Sequence, residues 1–361
     1  MTATSQFEPN YFSPPGETLA ETIEALGMTQ ADLALRLDVT PKHVNQLMAG
    51  KAPITSETAL RLEHITGVPA SFWMNRERNY REALARKEEL NDLSKFSDWL
   101  KQFPCKEMIK RGWIPAYKDK ALQVRELLRY FRVASPKAWE DKYKDMALQF
   151  RRSTRKECPP GLVSAWLQKG ENEAVAMDCA PYNAERFHTT LMEARTWSTE
   201  RPEVFTTRLS ESFARCGVAI TFVPEFKGLP VSGATRWLSS HKALLQVSLR
   251  FKTNDHLWFT IFHEAGHILK HAKKQIFLEC GPDRDEVLER EADAFAANTL
   301  IPRAEYQAFV NTMPDFTPEE IQAFADKVGV APGIVVGRLQ HEGLLRYSER
   351  NEMRVKLEWA N

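Results

Sequence analysis

One apolar run, residues 257–271, contains the sequence His-Glu-Ala-Gly-His at 263–267. On an α-helix, side chains four residues apart share a face, so His263 and His267 can offer two imidazole nitrogens to one ion. Zinc accepts such nitrogens, and a catalytic zinc keeps one position open for water. Glu264 follows the first histidine, where it can accept a proton from that water. The alternative, an ordinary buried helix, leaves its histidines and glutamate unpaired at a cost in stability.

A second helical run, 288–299, is expected to supply the third metal ligand. It contains Glu289 and Glu291, which are two residues and therefore about 200° apart on a helix, so only one of them can face the ion. The apolar face of this run comprises Leu288, Ala292, Phe295, Ala296 and Thr299. Both glutamates flank that face, and helix geometry alone prefers Glu291 only slightly.

These motifs resemble those of the ImmA/IrrE metallo-endopeptidases. The resemblance rests on F-T-x-x-H-E-x-G-H, E-x-E-A-x-x-F-A and L-I-P, and it extends over roughly residues 185–345. It implies a zincin-like fold, a Zn²⁺ ion and proteolysis of a regulatory protein. It also implies that the second glutamate, Glu291, is the third ligand. Asp293 stands where family members often have Asn, and it is assigned no ligand role.

Other polar residues near these motifs have less defined roles. His271 lies eight residues after His263, about 12 Å along the helix axis, so we expect it to support the site or lie at the surface. Tyr306, Arg338 and His341 are alternative donors to the oxyanion, and the sequence does not choose among them.

Length and composition limit the class of protein. The chain has 361 residues, 43% hydrophobic and 27% charged, with a net charge of +1. These values indicate two or three globular domains, and the net charge does not identify a partner. An apolar run of about 18 residues and a signal-peptide pattern are both absent, so no membrane association is expected. Five scattered cysteines without CxxC spacing favour a reducing cytoplasm.

The N-terminal region, 1–90, is predicted to form short helices separated by turns. Thr29 and Thr40 are suitable N-caps, Pro41 occupies a first helical position, and Gly50 ends that helix. The apolar residues that would close a small core are Leu33, Leu37, Val39, Val44 and Leu47. The pattern resembles the Xre/Cro-type helix-turn-helix, especially that of HigA antitoxins.

This second resemblance implies that the helix after Thr40 enters the major groove of a double-stranded DNA operator, with the protein acting as a homodimer. The candidate DNA contacts are Gln30, Lys42, His43, Asn45, Gln46 and Lys51. By the family register, Lys42 and Gln46 face bases, while Gln30 and Lys51 contact phosphates. The segment from Glu17 to Asn75 has seven acids and four bases, net −3, so it should bind DNA weakly alone. A helical bundle used for dimerisation is the alternative.

The middle region, 91–180, is predicted to be helical and is basic. Between Leu93 and Pro160 there are 17 bases and 8 acids, a net charge of +9. This excess suits DNA flanking the operator, an acidic protein partner such as a toxin or repressor, or a solvated helical surface. The sequence leaves the three interpretations open.

The C-terminal region, 181–361, adds strands to the helical pattern. Strands are predicted at 217–223, 233–238 and 243–249, directly before the His-Glu-x-x-His helix, which is the order of elements in zincins. The segment 243–250 is expected to be the edge strand that pairs with extended substrate. The predicted fold class is therefore mainly α with a small mixed β-sheet (α+β).

Together the patterns predict a cytoplasmic DNA-binding regulator whose zinc endopeptidase domain cleaves a regulatory protein partner. One alternative is a non-catalytic antitoxin or repressor whose zinc domain only binds or senses a partner. Another is a phage or stress sensor that uses metal occupancy as its signal. Glu264 favours catalysis, because a pure binding module has no need of a general base.

Overall fold

The computed structural model of the protein describes residues 13–151, 159–271, 277–278, 286–313 and 315–359. The chain divides into two compact units, Met1–Phe96 with Lys120–Leu122, and Ser97–Asp119 with Gln123–Asn361. The described residues are mainly helical with one small mixed sheet, which confirms the predicted fold class. Most of the basic middle region belongs to the second unit. None of the helices in the described part of the chain has the length and apolar character that a membrane crossing requires.

The first unit is a bundle of five helices. They are α1 Pro15–Ala25, α2 Gln30–Leu37, α3 Pro41–Met48, α4 Ser56–Thr66 and α5 Ala70–Ser94. Thr29 caps α2 by accepting a hydrogen bond from the Asp32 N–H, and Thr40 caps α3 by accepting one from the His43 N–H. The predicted core positions Leu33, Leu37, Val44 and Leu47 are all buried, as is Trp73 from α5.

The second unit holds the remaining helices and all of the described strands. Its helices before the sheet are α6 Cys105–Lys110, α7 Lys120–Phe131, α8 Pro136–Arg151, α9 Pro160–Ala176, α10 Ala184–Ala194 and α11 Pro202–Ala214. The first three residues of α7, Lys120–Leu122, belong to the first unit. The strands are β1 Val218–Phe222, β2 Gly233–Ser239, β3 Lys242–Val247 and β4 Phe277–Leu278. The later helices are α12 Asn254–Lys270, α13 Glu286–Leu300, α14 Arg303–Thr312, α15 Pro318–Val328 and α16 Pro332–His341. Short 3₁₀ helices lie at Trp99–Gln102, Arg195–Thr199 and Asn351–Met353.

The strand order in the sheet is β1-β3-β2-β4. β3 pairs with β1 in parallel and with β2 in antiparallel orientation, so its backbone is hydrogen-bonded on both sides. The prediction that residues 243–250 form the substrate-binding edge is therefore wrong. It failed because β3 pairs with β1 as well as with β2. β2 lies between β1 and β3 in the sequence, and a local strand pattern does not reveal such a long-range pairing. Among the described strands, β1 and β4 form the two edges.

Both faces of the sheet are covered by helices. Leu245 and Val247 of β3 join the large core that includes α12, whereas Leu244 packs with Ala174 of α9 on the opposite face. The same alternation along β2 turns Gly233 and Thr235 towards α12. Because the sheet is covered on both faces, most residues of β1, β2 and β3 are buried.

Helices α12 and α13 pack closely because α12 has a glycine at their contact. A Cβ atom at Gly266 would lie 3.1 Å from Cδ1 of Phe295 and 3.3 Å from Cα of Ala292. Gly266 is the glycine between the two histidines of the motif, and Ala292 is fully buried against it. This approach brings the acidic side chains of α13 next to the histidines of α12.

Candidate functional site

The two histidines of the motif converge as predicted. His263 and His267 lie on successive turns of α12 and are 4% and 2% exposed. Their Nε2 atoms are 3.0 Å apart. Because both Nε2 atoms face the same point, they can bind one ion together.

The carboxylate that joins this pair belongs to Glu289 of α13. Its Oε2 lies 3.5 Å from Nε2 of His263, and its Oε1 lies 3.6 Å from Nε2 of His267. Two ligand atoms about 2.05 Å from a tetrahedral ion are about 3.3 Å apart. The separations of 3.0, 3.5 and 3.6 Å, the last two measured to different oxygens of Glu289, lie close to that value, so these three side chains can serve as protein ligands of one zinc ion. Among the described residues they form the one group of histidine, cysteine and acidic side chains with such spacing.

Glu291, which the sequence pattern predicts as the third ligand, lies elsewhere. Its carboxylate is half-exposed and contacts His271 rather than the histidine pair. The buried residues of α13 are Ala292, Ala296, Thr299 and Leu300, while Leu288 and Phe295 are only half-buried. At 100° per residue, Glu289 lies within about 40° of the centre of this buried face and Glu291 about 125° from it. The prediction of Glu291 came from the family resemblance, because helix geometry alone separated the two glutamates only slightly. The buried residues of α13 instead place Glu289 on the side of the histidines.

The other ring nitrogen of each histidine is held by a supporting side chain. Nδ1 of His263 lies 2.8 Å from Oδ1 of Asp293, and Nδ1 of His267 lies 2.8 Å from Nδ1 of His271. Nε2 of His271 in turn lies 3.3 Å from Oε2 of Glu291. A hydrogen bond at Nδ1 leaves the Nε2 lone pair of the neutral ring available for a metal. His271 thus has the supporting position expected of it.

The carboxylates around His263 favour positive charge at its ring. Burial alone would lower the pKa of His263, but hydrogen bonds from its ring to Asp293 and Glu289 outweigh burial, and the charge of Glu264 adds to them. Together they raise the pKa of this histidine to about 10. The same carboxylates would favour a divalent cation, and His263 has to lose its proton when it binds one.

Glu264 is fully buried beside the sheet, and two residues of β2 fix its carboxylate. The Thr235 hydroxyl donates a hydrogen bond of 2.5 Å to its Oε2. A Cβ atom at Gly233 would lie 2.5 Å from its Oε1, so only glycine leaves room for the carboxylate there. Strand β2 thus positions the carboxylate of Glu264, the proposed base.

The three candidate oxyanion donors are not gathered at the histidine pair. Arg338 pairs with Glu342 and donates hydrogen bonds to the carbonyl oxygens of Ala297 and Ile301, with its guanidinium 3.8 Å from the centre of the Tyr306 ring. Arg338 and His341 line a separate cavity beside α12. The choice of oxyanion donor therefore stays open.

In the first unit, the predicted DNA contacts lie on and around α3. Lys42, Asn45, Gln30 and Lys51 are exposed, and His43 and Gln46 are half-buried. Val44 and Leu47 on the opposite face of α3 are buried in the bundle. The helix therefore presents a polar face to solvent and an apolar face to the core, as a recognition helix does.

Sequence reasoning named Glu289 as the alternative to Glu291, gave Asp293 no ligand role, and did not find Thr235. Glu289 and Asp293 are four residues apart, so they share a face of α13 just as the two histidines share a face of α12. That spacing was a usable signal for a ligand and its supporting carboxylate. Thr235 had no such signal, because its contact with Glu264 joins residues 29 positions apart.

Comparison with known proteins finds two family models in the chain. Residues 19–73 match the helix-turn-helix model, and residues 234–340 match the IrrE N-terminal-like domain of the M78 peptidase family. The second match contains His263, Glu264, His267 and Glu289. The two models thus cover the two regions in which the sequence motifs lie.

The similar proteins and solved structures match about a fifth of the chain. The uncharacterised HTH-type transcriptional regulator YddM of Escherichia coli is 27% identical over 81 residues, covering 22% of this chain and 84% of that protein. Virulence-associated protein I of Dichelobacter nodosus is 33% identical over 76 residues, covering 21% and 70%.

The similar solved structures include PA4674 of Pseudomonas aeruginosa in complex with its operator DNA, at 32% identity and a TM-score of 0.20, covering 21% of this chain and 82% of that one. A HigA-family antidote protein of Coxiella burnetii has 33% identity and a TM-score of 0.22, covering 23% and 91%. The Pseudomonas aeruginosa antitoxin HigA with its promoter has 31% identity and a TM-score of 0.21, covering 21% and 87%.

Proposed function

Because the chain belongs to the Xre/HigA-type helix-turn-helix family and carries an IrrE-like domain of the M78 peptidase family, we propose that it is a DNA-binding regulator with zinc endopeptidase activity. The observation that carries this proposal is the convergence of His263, His267 and Glu289 beside the buried carboxylate of Glu264. The substrate is a regulatory protein partner.

His263 and His267 would hold a zinc ion through their Nε2 atoms, and Glu289 would hold it through its carboxylate. When bound, the ion would supply Lewis acidity, which polarises a peptide carbonyl and makes water a stronger nucleophile near neutral pH. Asp293 and His271 keep each imidazole in the tautomer whose Nε2 carries the lone pair. They also fix the ring orientations, which matters because a ligand that can rotate binds metal more weakly.

Glu264 moves the proton. Its carboxylate accepts a proton from the attacking water and donates it to the amine that leaves when the peptide bond breaks. The Thr235 hydroxyl donates a hydrogen bond to one oxygen of this carboxylate, and this bond fixes the orientation of the other oxygen. Burial of Glu264 excludes bulk water, which would otherwise compete for the proton.

The first unit supplies DNA binding through α3. Lys42 and Gln46 contact base edges of a double-stranded operator, His43 and Asn45 are further candidates at the groove, and Gln30 and Lys51 contact phosphates. Two observations support this role: the helix-turn-helix family match and the solvent-facing polar side of α3. A homodimer doubles the contacts, and this compensates for the unit's few bases.

The decisive experiment compares the zinc-loaded full chain with its Glu264→Gln variant. Each is incubated with the protein encoded by the neighbouring gene, and the products are identified by mass spectrometry. We expect the wild-type protein to cut its partner and the variant to cut about 10²–10⁴-fold more slowly, with equal zinc content in both. Equal cutting rates would remove Glu264 from the mechanism. A partner that binds but stays intact would favour the non-catalytic alternative.

A further inference from the structure

A cavity of about 270 Å³ lies between α12, α13 and α16, and its wall residue Phe259 is one helical turn from His263. Its walls include Phe259, Ala297, Leu300, Ile301 and Ile334. We propose that this cavity binds a large apolar side chain of the substrate, from a residue within two positions of the bond that is cut. The inference rests on the peptidase function proposed above and names the side chain that directs cleavage.

The position of the cavity follows from the two helices of the metal site. Phe259 is four residues before His263 on α12, and the centres of their rings are 6.2 Å apart. Ala297 is four residues after Asp293, whose carboxylate contacts the same histidine. Each helix therefore carries a metal-site side chain and a cavity wall about one turn, or 5.4 Å, apart. An extended peptide advances about 3.3–3.6 Å per residue. The side chain of the first or second residue from the cut bond can therefore reach the cavity.

The cavity chemistry selects an apolar group. Its charged neighbours are already paired with one another: Asp255 with Arg354 at 3.1 Å, and Arg338 with Glu342 at 3.0 Å. A charged substrate side chain would have to compete with these pairs and lose its own hydration. An apolar side chain gains about 25 cal/mol for each Å² that it removes from water and leaves both ion pairs intact.

Arg338 keeps this cavity open by fixing its wall. Its guanidinium donates hydrogen bonds to the carbonyl oxygens of Ala297 and Ile301 at 2.9 and 3.0 Å. These bonds join the end of α13 to α16. The wall is thus formed by regular helices whose ends are tied together, as a preformed binding pocket requires.

Ala297 offers the cleanest test because it is a small, half-buried wall residue outside the metal site. Ala297→Val and Ala297→Leu fill the cavity in two steps and leave the zinc ligands unchanged. Ala294→Leu, on the exposed face of the same helix, is the matched control. Zinc content and the circular dichroism spectrum verify that each variant is folded.

The zinc-loaded full-length proteins are incubated with a proteome-derived peptide mixture, and cut sites are read by mass spectrometry. We expect wild-type cuts to be enriched in Leu, Ile, Met or Phe at one fixed position within two residues of the bond. Ala297→Leu should shift that position towards Ala and Gly by about 10-fold or more, Ala297→Val by less, and Ala294→Leu not at all. Cutting without such a preference, or a preference that Ala297→Leu leaves unchanged, would overturn the cavity proposal while the peptidase proposal stands.

A binding measurement separates the two proposals if no peptide is cut. Ligand-observed NMR compares N-acetyl-phenylalaninamide with N-acetyl-alaninamide on each zinc-loaded protein. Binding of the first compound alone, lost in Ala297→Leu and kept in Ala294→Leu, supports the cavity as an apolar side-chain site whether or not a peptide is cut. If the phenylalanine compound does not bind, the cavity proposal is wrong, while the peptidase proposal is decided by cleavage of the protein partner.

Discussion

Helices α3 and α12 place their functional side chains in opposite environments. On α3, the polar residues face solvent, and the buried residues Val44 and Leu47 belong to the other face. On α12, His263, Glu264 and His267 are themselves buried, so the functional residues are part of the core. A surface site can be changed with little effect on the fold, whereas a buried site depends on its partners for stability as well as for function.

The largest expected effect comes from removing a histidine of α12. His267→Ala should lose zinc and lower the thermal unfolding temperature, because metal binding free energy contributes to folding free energy. Zinc content and a thermal melt measure both effects. Gln46→Ala on α3 is the contrasting variant and should melt within a few degrees of the wild type. Equal destabilisation by the two changes would contradict the contrast between a buried site on α12 and a surface site on α3.

The next effect separates the two glutamates of α13. Glu289→Ala should release zinc because it removes a carboxylate that completes the ligand set, whereas Glu291→Ala should retain it. Zinc content after dialysis against a weak chelator distinguishes the variants. The reverse result, zinc kept by Glu289→Ala and lost by Glu291→Ala, would restore the assignment that the sequence motif suggested.

A smaller effect is expected from the side chains that hold the histidine rings. Asp293→Ala and His271→Ala should each weaken zinc binding about 10–100-fold, because they free an imidazole to rotate or change tautomer. Competition with a chromogenic chelator measures the affinity. Arg290→Ala, an exposed change on α13, is the control and should leave the affinity unchanged. Wild-type affinity in both ring-holding variants would show that burial alone orients the histidines.

The smallest effects concern DNA binding by α3. Gln46→Ala should cost about 1–3 kcal/mol at one base position of the operator. Lys51→Ala should weaken all sequences about equally and reduce the slope of affinity against salt. Binding isotherms at several salt concentrations give both quantities, with Lys87→Ala on α5 as the control for loss of a charge outside α3. A uniform loss across sequences for Gln46→Ala would argue against base contact by this residue.

The helix-turn-helix and the histidine pair could be predicted because their information is local. Caps such as Thr29 and Thr40 act within three residues, and two histidines four residues apart share a helix face in any context. The order of helices in the first unit and the positions of β1, β2 and β3 along the chain followed for the same reason. The sequence by itself therefore determined the motif helix, its pair of histidines and the glutamate that is proposed as the general base.

Only the tertiary structure decided which residues join that helix. The third carboxylate depends on the rotation of α13 about its axis, which is set by the packing of Ala292 against Gly266. The alignment of Glu264 depends on Thr235 in β2, and the central position of β3 depends on its pairing with β1. Each of these contacts joins residues far apart in the chain. They form because the fold that buries the apolar side chains of the whole domain brings these residues together. A local pattern therefore identified the two glutamates, and the packing of the core chose between them.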